Sequence, residues 1–585
     1  MKMQFIILLL IAAWLTKKIS SLPPESRVLD RSDFPDDFIF GTAASAFQIE
    51  GATSEGGKSA SIWDYFSHTF PERTNMQNGD VAADFYHCYK EDIKLMKELN
   101  MDAFRFSISW ARLIPSGKVK DGVNKEGVQF YTALIDELIA NGIQPSVTLY
   151  HWDHPQALED EYGGFLNPQI IEDFRNFARV CFENFGDKVK MWTTINEPYV
   201  ISVAGYESGN KAVGRCSKWV NSKCQAGDSA TEPYIVSHHL LLSHAAAVQE
   251  FRNCNKTLKD GKIGIVVSPW WLEPHDFTSP TDKEAVERGL PLELDWHLDP
   301  VFYGDYPEIM KKRVGNRLPS FTAEQSKMLI NSSDFIGMNY YGAHFVAHLP
   351  HIDPAQPRFK TDLHFEKKTL NHSNHRIGPG DGIIFSHPVG FRRVLNYIKD
   401  KYNNPIVYIK ENGMDDGKKS SREEILKDTL RISYHKDHLE QLHKAIIEDG
   451  CDVRGYYIWS LLDNFEWEHG YSIRFGLYYV DHKDLKRYPK DSVNWFKQFL
   501  NRPVTKSEEA ENEEVRNVSR RQEENNNKTL DDSEGSKTSI DSIVNLMMTS
   551  GSRLEEVERD FCALENPIDL LGLFLLKPRT LWDSK

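Results

Sequence analysis

Two apolar stretches, each ending in a glutamate, constrain the fold of this chain more than any other feature. Residues 190–198 read Lys-Met-Trp-Thr-Thr-Ile-Asn-Glu-Pro, and residues 405–413 read Pro-Ile-Val-Tyr-Ile-Lys-Glu-Asn-Gly. Their β-branched and aromatic residues predict two buried strands, with Glu197 and Glu411 at the carboxyl ends. Because an unpaired charge in a protein core is costly, each carboxylate is expected either to be paired or to open onto a cleft.

This pair of carboxylates predicts both a chemistry and a fold. In glycoside hydrolysis one carboxyl group protonates the leaving oxygen while the other attacks the anomeric carbon, and at a separation of about 5 Å the configuration is retained. Glu197 and Glu411 are far apart in the sequence, so only tertiary structure can bring them together. A (β/α)8 barrel does so because all its strand ends converge on one face.

Further apolar segments support a single α/β domain with the TIM-barrel fold and long βα loops. Helical patterns occupy residues 84–100, 130–140 and 170–185, between strand-like runs. The eight candidate strands begin at residues 38, 103, 144, 190, 262, 334, 405 and 453. Eight is the strand number of this barrel, so we predict that residues 22–503 form it.

Both ends of the chain differ from the barrel in composition. Residues 1–21 predict a secretory signal peptide, since Lys2 precedes an apolar run over residues 5–15 that is too short to span a membrane. Residues 504–585 predict a disordered polar extension with a short apolar end. The chain ends in Trp-Asp-Ser-Lys rather than an ER-retention tetrapeptide, so extracellular, vacuolar and ER-luminal destinations stay open.

A secretory route agrees with two other sequence features. Secretion permits disulfides, and Cys216 and Cys224, which close a short loop, are the predicted pair. Asn-x-Ser/Thr sequons, which predict N-glycosylation, occur at Asn255, Asn331, Asn371, Asn517 and Asn527.

Composition excludes several classes of partner. The net charge of −15 argues against nucleic acid. The seven cysteines have no metal-binding spacing, and His151 and His154 lack a nearby third ligand, so neither a metal nor a cofactor is predicted. Aromatic residues make up 12% of the chain, and their faces suit the C–H faces of sugars.

Polar side chains near other strand ends are candidates for binding a sugar. Arg105 interrupts a strand and is expected to point inward and pair with a catalytic carboxylate. Gln48 can both donate to and accept from a sugar diol, and His151 is expected to contact a sugar hydroxyl. Asn339 and Tyr341 end another strand and complete this set.

With these residues assembled, the chain resembles family 1 of the glycoside hydrolases, close to the plant β-glucosidases, over about residues 33–500. The resemblance implies that Glu197 of the Asn-Glu-Pro motif is the acid/base and that Glu411 of the Glu-Asn-Gly motif is the nucleophile. It also implies that Arg105 and Tyr341 hold the nucleophile. The sugar contacts that it implies are Asn196, at the 2-hydroxyl, and Gln48, His151, Trp459, Glu466 and Trp467.

The chain departs from the family pattern in three places. Lys410 precedes the nucleophile where the family usually has Thr. Because strand side chains alternate, Lys410 is expected to point away from the lumen that Glu411 faces. Ile195 replaces the more usual Phe or Leu, which is expected to matter little, and the C-terminal extension has no family counterpart.

These features predict a retaining exo-β-glucosidase that hydrolyses O-linked β-D-glucosides of small molecules by double displacement. A charged Glu466 would repel a 6-phosphate, which argues against phosphorylated substrates. A thioglucosidase of the myrosinase type is an alternative. The best-known plant thioglucosidases replace the acid/base with Gln and place an Arg seven residues later, whereas this chain has Glu197 and Ala204.

The sequence is also compatible with two other functions. A non-catalytic carbohydrate-binding or storage protein could use the same scaffold. Transglucosylation to an alcohol acceptor would use the same residues as hydrolysis. The sequence leaves the aglycone and the oligomeric state undetermined, and no membrane-spanning segment is predicted.

Overall fold

The computed structural model describes residues 29–501, apart from residues 418 and 420. The predicted signal peptide, the predicted C-terminal extension, and the sequons at Asn517 and Asn527 lie outside the described residues. Within the described part, no helix combines the length and the apolar character that a membrane span requires.

Eight parallel strands close into a barrel, as predicted. The structure contains β1 (Ile39–Ala43), β2 (Ala103–Ser107), β3 (Gln144–Tyr150), β4 (Met191–Asn196), β5 (Lys262–Val267), β6 (Trp271–Pro274), β7 (Phe335–Asn339), β8 (Ala343–His348), β9 (Phe365–Lys368), β10 (Val407–Asn412), β11 (Val453–Trp459), β12 (Tyr478–Val480) and β13 (Arg487–Pro489). Around the barrel the order is β1, β11, β10, β7, β5, β4, β3 and β2, and β2 pairs with β1 to close it.

Two small sheets lie outside the barrel. Strands β6, β8 and β9 form one sheet in the segments after β5 and β7, and β12 with β13 forms an antiparallel pair after β11. These additions account for the long βα loops that the sequence predicted. The carboxyl ends of the barrel strands thereby open into a deep cleft built from the loops.

Helices surround the barrel between its strands. They span Ala46–Ile49, Ile62–Thr69, Phe85–Glu98, Trp110–Leu113, Lys125–Ala140, Gln156–Tyr162, Gln169–Phe185, Pro198–Val200, Glu232–Asn253, Pro280–Glu287, Gly289–Glu293, Asp295–Tyr303, Glu308–Val314, Ala323–Leu329, Phe359–Leu363, Pro388–Lys401, Arg422–Leu426, Thr429–Ile447 and Asp491–Phe499. The three helices predicted from periodicity are confirmed with shifts of a few residues at their ends. Gln48, predicted to follow the first strand after a run of small residues, lies in the first short helix.

Packing behind β4 shows how the helices support a catalytic strand. The helix Gln169–Phe185 packs along the long helix Glu232–Asn253, and the Phe182 ring meets Phe251 with centroids 5.3 Å apart. From the long helix, buried His244 hydrogen-bonds the hydroxyl of Thr194 on β4 at 2.7 Å. Since β4 delivers Glu197, these contacts fix the position of one catalytic candidate.

The predicted disulfide is present in the loop that follows β4. Cys216 and Cys224 are joined, with their Cα atoms 5.5 Å apart. The sequons at Asn255 and Asn331 are exposed, and Asn371 is half-buried.

Candidate active site

A cleft of about 170 Å³ opens at the carboxyl ends of the barrel strands. Most of the predicted site residues meet there, although they come from loops and strands throughout the barrel. The lining includes His151, Trp152, Glu197, Lys211, Tyr341, Glu411, Trp459, Glu466 and Trp467. Gln48, Arg105, Asn196 and Asn339 contact these residues from behind.

Glu197 reaches the cleft because the backbone turns sharply after β4. Its φ angle is +47°, in the left-handed region, and Pro198 begins a helical turn directly after it. The Glu197 amide still donates to the Val266 carbonyl of β5 at 2.9 Å, so this turn remains tied to the barrel. A left-handed non-glycine residue is strained, and such strain is concentrated at functional sites.

Glu411 is held through both of its carboxylate oxygens. Arg105 on β2 donates from Nη1 to Oε1, and the Tyr341 hydroxyl donates to Oε2 at 2.7 Å. Arg105 is itself fixed by bonds to Asn196 Oδ1 at 2.6 Å and to Thr148 Oγ1 at 3.1 Å. The inward pairing predicted for Arg105 is therefore observed, and the guanidinium is fully buried.

The two glutamates differ in their electrostatic surroundings. Burial raises the pKa of both, but at Glu411 the Arg105 charge and the Tyr341 hydrogen bond oppose this rise. At Glu197 burial and the charge of Glu411 raise the pKa to about 8, against the smaller opposing effects of the Asn339 hydrogen bond and of the Arg105 and Lys211 charges. Glu411 is therefore the first of the pair to ionise, and Glu197 keeps its proton at neutral pH.

Asn339 and Asn196 link the two carboxyl groups to His151. Asn339 Nδ2 donates to Glu197 Oε1 at 2.6 Å and to Asn196 Oδ1 at 3.1 Å. Since Asn196 Oδ1 accepts, its Nδ2 must donate to His151 Nε2, 3.1 Å away. Burial and the Arg105 charge lower the pKa of His151, so its ring is neutral and carries its proton on Nδ1.

Glu466 and two tryptophans form another part of the cleft lining, with Gln48 behind them. Gln48 Nε2 donates to the Phe465 carbonyl at 3.0 Å and to Glu466 Oε2 at 3.3 Å. The rings of Trp459 and Trp467 both stack on His151, with centroids 5.9 Å away. Flat aromatic faces beside polar groups are suited to binding a sugar ring.

The protonation state of Glu466 differs from the one expected from the sequence, where this residue was taken as charged. Burial raises its pKa to about 8, against the opposing effect of Lys211. Its carboxyl group is therefore protonated at neutral pH in the open cleft. Charge repulsion of a 6-phosphate by Glu466 is accordingly weaker than the sequence suggested, and the prediction against phosphorylated substrates loses that support.

The prediction for Lys410 is wrong, because this residue points into the barrel lumen. Lys410 Nζ donates to the Ser146 hydroxyl at 3.0 Å, and β3, which carries Ser146, lies opposite β10 in the barrel order. The Lys410 Nζ atom also lies 4.6 Å from the centroid of the Tyr457 ring. The pairing of β10 with β7 is interrupted between Ile409 and Glu411, and this bulge lets both Lys410 and Glu411 face inward.

Sequence reasoning missed several residues that line the cleft, among them Trp152 and Lys211. Trp152 directly follows His151 at the end of β3, so its place beside a predicted site residue was a usable signal. Lys211 lies in the irregular loop between β4 and β5, where no periodicity indicates which side chains turn inward.

Comparisons with known proteins agree with this geometry. The model of the family described as "Glycosyl hydrolase family 1" matches residues 30–504. Beta-glucosidase 29 of Arabidopsis thaliana is 80% identical, with 98% of this chain and 99% of the relative covered. Beta-glucosidase 26 of the same plant, named as peroxisomal, is 52% identical over 80% of this chain and 85% of the relative.

Solved structures show the same similarity. A rice β-glucosidase variant, in a covalent complex with glucose, superposes with a TM-score of 0.79 at 47% identity. The match covers 81% of this chain and the whole of the rice chain.

Proposed function

The chain belongs to glycosyl hydrolase family 1, and from this membership we propose that it is a retaining exo-β-glucosidase acting on O-linked β-D-glucosides of small molecules. One observation carries the proposal: a protonated Glu197 and an Arg105-paired Glu411 share one cleft at the strand ends. Relatives named β-glucosidase at up to 80% identity support the glucoside, and the covalent glucose complex of the rice relative supports a covalent intermediate.

In the first step Glu411 attacks the anomeric carbon. Arg105 and Tyr341 hold both of its oxygens, which orients the carboxylate and keeps it ionised. Glu197, protonated because of burial and the neighbouring Glu411 charge, donates its proton to the departing oxygen. The aglycone leaves as a neutral alcohol, and glucose stays bound to Glu411 as an ester.

In the second step the roles of Glu197 reverse. Once Glu411 is esterified it carries no negative charge, so the electrostatic cause that raised the Glu197 pKa is reduced. Glu197 then takes a proton from water as this water attacks the anomeric carbon from the face that the aglycone left. Two inversions give net retention of the β configuration.

The remaining wall residues are proposed to hold the glucosyl group. Neutral His151 presents Nδ1–H, which has no partner among the described residues, as a donor for a sugar hydroxyl. Asn196, fixed by Arg105 and Asn339, lies beside the nucleophile, where the 2-hydroxyl of a glucosyl ester would sit. Further contacts are assigned to Gln48, Asn339, Tyr341, Trp459, Glu466 and Trp467.

Azide rescue tests the two catalytic assignments. Glu411→Gly should abolish turnover of 4-nitrophenyl β-D-glucoside, and added azide should restore formation of α-glucosyl azide, identified by NMR. Glu197→Ala with azide should instead give β-glucosyl azide, because the azide then attacks the glucosyl ester. The same anomer from both folded variants would contradict the separate roles.

An intact acid/base favours O-glucosides over the thioglucosidase alternative. Glu197 is retained and its raised pKa keeps it protonated, which a thio-aglycone does not require. Comparing 4-nitrophenyl β-D-glucoside with its 1-thio analogue tests this preference. Faster hydrolysis of the thio substrate would contradict it.

We further propose that the protein enters the secretory pathway and is N-glycosylated. The Cys216–Cys224 disulfide and the exposed sequons at Asn255 and Asn331 support this route. Since one relative is named peroxisomal, family membership does not decide the compartment. Protein from plant cells should lose mass on endoglycosidase treatment, and an unchanged mass would contradict the glycosylation.

A further inference from the structure

Lys211 places a cation at the opening of the active-site cleft. It lies in the loop after β4, and its side chain is 16% exposed. Lys211 Nζ lies 5.6 Å from the centroid of the Trp152 ring and 5.8 Å from that of Trp467. The cation is therefore directed over the aromatic wall of the cleft, beside Glu197 and Glu466.

Among the described residues that line the cleft, Lys211 is the only lysine or arginine. Arg105 is fully buried beneath Glu411 and engaged on three sides, so it is not available to a substrate group at the entrance. The charge of Lys211 reaches the reaction centre, because it lowers the pKa of both Glu197 and Glu466 against the effect of burial.

Lys211 is paired with a glutamate, Glu468, of the segment after β11. Lys211 Nζ contacts Glu468 Oε2, whose side chain is 26% exposed, so solvent reaches part of this ion pair. Glu468 also has a second neighbour, His469, 3.9 Å away.

The rest of the outer cleft is apolar. Val200, Trp270, Ile383 and Phe475 line it, and the Trp270 ring is fixed from behind by stacking on His344 at 4.5 Å. Such a wall suits a flat apolar aglycone, and Lys211 lines the same cleft.

From this arrangement we propose that the cleft selects β-glucosides whose aglycone carries a carboxylate or another anionic group, and that Lys211 binds this group in place of Glu468. The inference rests on the proposed β-glucosidase function and names the substrate class of the same site. A charge-assisted hydrogen bond to Lys211 provides the selectivity, and the aromatic wall provides most of the contact area.

Two glucosides of matched shape test the proposal, 4-carboxyphenyl β-D-glucoside and its neutral amide, 4-carbamoylphenyl β-D-glucoside. The measured quantity is the ratio of kcat/KM for the carboxylate to that for the amide, which cancels any loss common to both. Lys211→Met should lower this ratio about tenfold, mainly through KM. Glu468→Gln removes the competing anion and should raise the ratio about threefold.

Lys218→Met serves as the matched control. Lys218 lies on the same loop but is exposed and does not line the cleft, so its replacement should leave the ratio unchanged. A ratio that is the same in Lys211→Met as in the wild type would overturn the proposal, since Lys211 would then only pair with Glu468.

A third substrate separates the aglycone from the sugar. If Lys211→Met lowers hydrolysis of 4-nitrophenyl β-D-glucuronide relative to the glucoside and leaves the carboxyphenyl ratio unchanged, the anion belongs on the sugar and the proposal is overturned. A wild-type protein that cleaves no β-glucoside contradicts the proposed function itself. If the wild-type protein cleaves both aryl glucosides and Lys211→Met leaves their kcat/KM ratio unaltered, only the role of Lys211 is contradicted.

Discussion

At the scale of single residues, Glu197 sets the alkaline limit of the proposed reaction. Its pKa is raised to about 8 by burial and by the Glu411 charge, and the first step needs its proton. The active form is therefore present below this pKa and is lost as pH rises through it. We expect kcat/KM for 4-nitrophenyl β-D-glucoside to fall near pH 8, measured from acidic to alkaline pH.

The control for this prediction is Glu197→Gln, which removes the titrating group. With 2,4-dinitrophenyl β-D-glucoside, whose leaving group needs no proton, its kcat/KM should lose the alkaline fall. A fall that persists near the same pH in this variant would assign it to another group.

Tyr341 affects the acidic limit of the pH range in which the proposed reaction proceeds. Its hydroxyl donates to Glu411 Oε2 at 2.7 Å and so favours the ionised nucleophile. Tyr341→Phe should raise the Glu411 pKa and move the acid fall of kcat/KM to higher pH, by about one unit. Tyr340→Phe is the matched control, since the Tyr340 hydroxyl donates to the backbone of His387 instead. An equal shift in both variants would contradict a specific effect on Glu411.

At the scale of an element, the bulge in β10 decides which side chains enter the lumen. It brings Glu411 to the cleft and buries Lys410 beneath it, among aromatic rings and with one hydrogen bond to Ser146. Burial lowers the pKa of Lys410, so the folded protein releases a proton that the unfolded chain keeps. This burial costs stability at neutral pH.

Lys410→Met should therefore stabilise the protein at neutral pH, by about 1 kcal/mol or more, because an apolar chain of similar length replaces a desolvated amine. The advantage should shrink as pH rises toward the unfolded pKa of about 10.4, where the unfolded chain also loses the proton. Urea unfolding at neutral and alkaline pH measures this difference.

Lys410→Ala is the control for that measurement. It removes the same charge but leaves a cavity, and it should destabilise the protein. A Lys410→Met variant less stable than the wild type at both pH values would show that the ring contacts and the Ser146 bond outweigh desolvation.

At the scale of the whole molecule, a buried ion network ties the end of the described chain to the barrel. Lys490, just before the final helix Asp491–Phe499, donates to Asp416 at 2.7 Å and to Asp463 at 2.9 Å. Arg431 binds Asp416 as well, and its charge is the largest influence lowering the Asp416 pKa against the opposing effect of burial. These residues join the segments after β10 and β11.

Lys490→Met should destabilise the protein by about 3 kcal/mol, because it leaves buried carboxylates without one of their cations. Lys497→Met, which removes an exposed pair with Glu98, should cost much less. Thermal unfolding of the two variants compares them directly. Similar losses in both would show that burial of the network does not determine its contribution.

Because the Asp416 pKa is lowered in the folded protein, its share of stability is present above the unfolded value of about 3.9 and is lost as pH falls through the folded pKa. In Lys490→Met the Asp416 pKa should lie closer to its unfolded value, so the variant should lose less of its free energy of unfolding than the wild type does as pH falls through this range. Acid unfolding of wild type and variant, followed by circular dichroism, measures it.

The sequence by itself predicted the barrel, since eight apolar runs separated by helical or irregular stretches match the strand number of a closed (β/α)8 sheet. It also determined the candidates Glu197, Glu411 and Arg105, because charged residues in such runs need partners or a cleft. Tertiary structure alone decided the orientation of Lys410, since alternation along a strand does not reveal a bulge set by the register of neighbouring strands. It likewise decided that Lys211 enters the cleft and that Glu466 is protonated, because loop paths and burial depend on contacts between distant segments.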